Sequence, residues 1–85
     1  MLTTSALLSF LRKRLLVART QKDHETLQKL GNTLELIGDA ALEIDDRANA
    51  TLIEQMESAV QDSFMGVEWK STVPSISDIE AANNK

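Results

Sequence analysis

Glu35, Asp39 and Glu43 recur at intervals of four residues, with Asp46 close behind, so on a helix they form one acidic stripe. Carboxylates in that arrangement can hold a hard cation through oxygen or pair with the basic side chains of a partner. A cation site would need calcium-loop spacing or inward-facing Glu-x-x-His pairs, and the sequence has neither. His24 is the single histidine, and Asp23 and Glu25 beside it fall on other faces of a helix. There is no cysteine, no glycine-rich phosphate loop, no nucleophile elbow and no histidine-based triad. These absences lead us to expect a protein that is not an enzyme and uses no cofactor or metal. The stripe is then either a solvated helix face or a contact surface for a basic partner.

The other chemically loaded stretch is "SFLRKRLLVARTQKD", residues 9–23, where Arg12, Lys13, Arg14, Arg19 and Lys22 stand among leucines. Such a density of cations suits phosphates, an anionic membrane surface, or the carboxylates of a neighbouring helix. At 100° per residue Arg12 and Arg19 share one polar edge, which makes them the candidate nucleic-acid contacts, whereas Lys13 and Arg14 flank a different face. Bases that point several ways, with Phe10 the one aromatic among them, track a phosphate backbone poorly. A net charge of −4 further weakens nonspecific attraction to nucleic acid. The charges follow the leucines instead of preceding them, which does not suit a secretory signal; residues 1–22, free of acids, fit a mitochondrial presequence better. The same residues, however, carry apolar stripes that a helical core needs.

Charge is divided along the chain. Six bases against two acids give +4 over residues 1–30, and three bases against eleven acids give −8 from Gly31 onward. A basic first helix can therefore lie against acidic helices of its own chain or of a twin subunit. With 85 residues there is room for one domain, and a chain of this size buries only about 60–65% of its unfolded surface, so self-association would add stability. No apolar run reaches the roughly 18 residues of a membrane span. The lack of cysteine is compatible with the reducing cytoplasm, the compartment expected here.

The elements that must position these groups are helices, because leucine, alanine, glutamate and glutamine dominate and apolar residues recur at threes and fours. A first helix is expected over about Thr4–Arg19. Its apolar residues split into one stripe of Leu7, Leu8, Leu11, Leu15 and Ala18 and a second of Ala6, Phe10 and Val17, so it calls for two neighbours. A turn is expected around "TQKDHE", with Asp23 able to cap the second helix, although no glycine or proline enforces it. Leu27, Leu30, Leu34, Ile37, Ala41, Ile44 and Ala48 then form an unbroken heptad seam. Gly31 and Gly38, seven residues apart beside that seam, suggest close approach of another backbone. "EIDDRAN" offers Asp45 or Asp46 as the cap of a new helix ending near Gly66.

The expected fold is all-α: a small three-helix bundle over residues 1–66, followed by a flexible C-terminal tail, residues 67–85, that contains Pro74 and at most one short helical turn begun at Ser77. The alternative is a two-helix hairpin that dimerises. The function expected is that of an adaptor, regulator or inhibitor that binds another protein, and a homodimer is expected. Glu35, Asp39, Glu43, Asp46 and Trp69 are the candidate partner-binding residues. The alternatives are a nucleic-acid-binding regulator working through Arg12 and Arg19, or an acidic decoy that occupies a nucleic-acid-binding protein.

Overall fold

The computed structural model describes residues 1–65 and 73–84. These residues are all helical apart from short junctions: α1 (Thr4–Gln21), α2 (His24–Glu43), α3 (Arg47–Met65) and α4 (Ile76–Asn83). The Cα radius of gyration of 12.3 Å is close to the roughly 12 Å of a compact domain of this length, so the helices form one body. α1 runs two residues further than expected. The continuous second helix of the hairpin alternative is broken between Glu43 and Arg47, and the described residues form four helices, not three. Gly66 and Trp69 lie outside the described residues.

Both breaks among the first three helices are the same device, built without glycine. After α1, Lys22 takes the left-handed conformation (φ 55°); its N–H reaches the Arg19 carbonyl at 3.2 Å and the Asp23 N–H reaches the Ala18 carbonyl at 2.9 Å. After α2, Asp45 does likewise (φ 59°), with its N–H on the Leu42 carbonyl at 3.0 Å and the Asp46 N–H on the Ala41 carbonyl at 2.7 Å. These are paired Schellman bonds, which satisfy carbonyls that a helix end leaves open. In each junction the next residue is an aspartate that caps the following helix. Asp23 accepts from the Thr26 N–H and hydroxyl at 3.2 and 2.7 Å. Asp46 accepts from the Asn49 N–H and side-chain amide at 3.3 and 2.7 Å. A reversal of two or three residues of this kind lays consecutive helices side by side.

The core is drawn from all four helices. Leu8, Leu11, Leu15 and Ala18 of α1 meet Leu27, Leu30, Leu34 and Ala41 of α2 and Leu52, Ile53, Met56, Ala59 and Val60 of α3. The heptad seam thus holds from Leu27 to Ala41, with Ile37 half-buried, and then fails: Ile44 is 75% exposed and Ala48 is exposed. The reason is the junction, which puts Ile44 at a helix end and Ala48 in the first turn of α3.

α2 and α3 form the most extensive helix pair in the fold. At Gly38 a Cβ would stand 3.2 Å from Ile53 Cγ2 and 3.3 Å from Glu57 Oε1, tighter than ordinary contact, whereas at Gly31 it would meet Val60 at a comfortable 3.5 Å. Close approach therefore belongs to Gly38 alone.

Residues 73–84, placed in the expected tail, contain α4. Ser75 and Asp78 form a reciprocal capping box with both bonds at 3.0 Å, two residues ahead of the cap expected at Ser77. Ile79 is fully buried against the other helices. Asn49, the one buried polar residue among those described, exchanges two 3.0 Å amide hydrogen bonds with Asn83, tying α3 to α4. Arg12 Nε donates to the Pro74 carbonyl at 2.8 Å and ties the start of the segment to α1.

Candidate protein-binding faces

The stripe Glu35, Asp39, Glu43 sits on the exposed side of α2, because the seam residues on the opposite side are those taken into the core. The structure adds two leucines that sequence reasoning missed. Leu36 is 72% and Leu42 is 61% exposed, and they stand three residues before and three residues after Asp39, so the carboxylate lies between two apolar side chains. Their signal in the sequence was position: both are large apolar residues on a helix whose seam is already filled without them.

The acidic face continues onto α3. Burial pushes the Glu57 carboxyl above its usual range, and the charges of Glu35, Asp39 and Glu54 push it further the same way. Like charges at this range raise one another's proton affinity because each ionisation is opposed by the others. A groove of about 230 Å³ runs between the two helices, lined by Gly31, Asn32, Glu35, Glu57, Gln61 and Phe64 among others. At the far end of the α2–α3 pair the His24 ring meets Phe64 edge-on, with centroids 5.6 Å apart, so the lone histidine is a packing neighbour. The groove is small, half-open and mainly polar, and suits a long basic side chain better than an enclosed small molecule.

Asp46 stands at the cap of α3, beyond the end of α2. Both its carboxylate oxygens are engaged at the start of α3, with the Asn49 backbone and side chain. Trp69 lies outside the described residues. Among the described residues no group of three or more His, Cys, Asp or Glu side chains is placed to hold a metal, and no helix is long and apolar enough to cross a membrane.

The basic helix presents a second face. One of its two apolar stripes is buried, as expected, but the other is not covered: Phe10 is 57% and Val17 43% exposed, and Ala6 is exposed as well. Arg14 lies over the Phe10 ring at 5.8 Å, a cation–π contact. Lys13 and Arg14 are exposed on either side of this stripe. Arg12 and Arg19, the candidate nucleic-acid contacts, are half-buried instead: Arg12 is tied to Pro74, and burial draws Arg19 below the usual guanidinium range. The cations that reach solvent most fully are therefore Lys13 and Arg14 on this helix and Lys22 in the junction after it.

No protein-family model, curated protein or solved structure matches this chain.

Proposed function

We propose that the protein is a non-enzymatic adaptor, regulator or inhibitor that binds another protein through the acidic face of α2 and α3. The observation that carries this reading is the pair of exposed leucines on either side of Asp39 in a face whose carboxylates repel one another. A docking face uses exposed leucines of this kind as apolar anchors beside its charges. The cognate segment is basic with apolar anchors: its cations would relieve the repulsion at Glu57, and its apolar side chains would cover Leu36 and Leu42. Charge in such an interface sets association rate and specificity, and the desolvated apolar anchors set the lifetime of the complex.

The test is a photo-crosslinking amino acid placed at Leu36, with a control at Thr51 on the exposed side of α3, followed by affinity measurement on the purified partner. Leu36→Ala combined with Asp39→Lys should weaken that partner's binding at least tenfold, with stronger binding at low salt. A partner captured equally from both positions, or bound by the variant as tightly as by wild type, would remove this face from the proposal.

A second reading, regulation through nucleic acid, is favoured by the Phe10 ring beneath Arg14, since an exposed aromatic with a cation beside it can stack on a base. It requires binding to single-stranded nucleic acid at about 150 mM salt that Phe10→Ala abolishes.

A further inference from the structure

We propose that the uncovered face of α1 docks on the acidic face of α2 of a second copy of this chain. The inference rests on the reading of the α2 face as a dock for basic, apolar-anchored segments, and it names α1 as such a segment.

Three observations lead to this occupant. The α1 face carries the charge opposite to that of the α2 face. Phe10 and Val17 lie seven residues apart, about 10 Å along a helix, with Lys13 and Arg14 midway between them; Leu36 and Leu42 lie six apart, about 9 Å, with Asp39 midway. The spacing along the helix axis is thus similar on the two faces and the central charges are opposite, although Phe10 and Val17 share one line of α1 whereas Leu36 and Leu42 flank Asp39 on two sides. The α1 face also carries an open, mostly apolar depression of about 550 Å³, lined by Phe10, Arg12, Lys13, Leu16, Val17 and Ile76. Finally, the fold does not bring the two faces together within one chain. Lys13 and Arg14 are exposed on α1 and Asp39 and Glu43 on α2, and the ion pairs formed by Lys29 with Glu25 and by Arg47 with Asp45 are local and solvent-exposed.

Charge rejects the other occupants. Pairing α1 with α1 would set Lys13 and Arg14 against their own copies. An anionic lipid surface or a phosphate backbone would attract α1 but would hold the −8 of residues 31–85 close to like charge. The α2 face of a twin chain presents Asp39 and Glu43, the sign opposite to that of Lys13 and Arg14. A copy bound in this way covers Leu36 and Leu42, so it competes with any foreign partner for the same dock.

The experiment is sedimentation equilibrium on the full chain up to about 300 μM, at about 50 and about 500 mM salt, with two double variants whose sites are all exposed: Lys13→Glu with Arg14→Glu, and Asp39→Lys with Glu43→Lys. Circular dichroism checks that each variant keeps the wild-type helix content and melting behaviour. Wild type should self-associate, more tightly at low salt. Each variant alone should lose at least tenfold in association constant, and an equimolar mixture of the two should regain it, because the reversed α1 of one then faces the reversed α2 of the other. A wild type that stays monomeric, variants that associate as wild type does, or a mixture that fails to recover would each overturn the proposal. Two further arms separate it from the reading it rests on. A monomeric wild type that still binds a synthetic lysine- and leucine-rich helical peptide through Asp39 and Glu43 leaves the dock standing and removes the second copy. Vesicles with anionic lipid that bind a monomeric chain through Lys13 and Arg14 assign α1 to membranes instead and likewise overturn it.

Discussion

At Glu57, burial and the like charges of Glu35, Asp39 and Glu54 act in one direction and hold the carboxyl above its usual range. An acid whose folded value is raised opposes folding once it ionises, so its penalty is present above that value and relieved as pH falls through it. Glu57→Gln should therefore melt higher than wild type near pH 7, and the gap should close as both proteins are taken towards about pH 4. A gap independent of pH would assign the gain to packing against Gly38. Asp23 has the opposite sign. The Thr26 hydroxyl, and then the Thr26 N–H, hold its carboxyl below the usual range, so its contribution is present above the unfolded value and is lost as pH falls through the lower folded one. Thr26→Val removes the hydroxyl donor and should move the Asp23 titration upward, as followed by NMR.

At the scale of elements, the two helix breaks and the two helix-internal glycines have exchanged their usual places. Lys22 and Asp45 hold the left-handed conformation where glycine is most at ease, while Gly31 and Gly38 lie within α2. Lys22→Gly should stabilise the fold by up to about 1 kcal/mol in urea unfolding, since it relieves the Cβ strain at a position already committed to that conformation. Within α2 the two glycines should answer differently to alanine. Gly31→Ala meets only ordinary contact at Val60 and should gain about 0.5–1 kcal/mol of helix propensity. Gly38→Ala must displace Ile53 and the end of Glu57, so it should gain less or lose. Equal effects at the two sites would remove the close approach assigned to Gly38.

At the scale of the whole molecule, α4 completes a core that three helices leave open. Ile79 is fully buried in the main cluster, and the Asn49–Asn83 exchange fixes where the helix lies. Ile79→Ala should cost about 2–5 kcal/mol, the range for truncating a buried aliphatic side chain. A cost below about 1 kcal/mol would mean that α4 rests on the bundle without closing it. Asn49 has no role that its own segment announces. Buried at 3% exposure, it is acceptable in a core only because Asp46 and Asn83 meet its amide.

Periodicity and capping chemistry are local, and what they control was legible in the sequence: the all-helical class, the seam from Leu27 to Ala41, Asp23 as a cap, and a break near Asp45 and Asp46. The acidic stripe was legible for the same reason, since residues four apart on a helix share a face. Other features depend on residues distant in the chain. Whether "SISDIEAAN" is tail or helix turned on Ile79 finding a pocket between α1 and α3, a burial that an eight-residue segment cannot signal by its own weak propensity. Of the two apolar stripes on α1, the pattern showed that both exist, but the path of α2, α3 and α4 decided that Leu8, Leu11 and Leu15 are covered and Phe10 and Val17 are not. The extension of the acidic face to Glu57 was likewise settled by the α2–α3 pairing, because the repulsion between carboxylates depends on their separation in space and not along the chain.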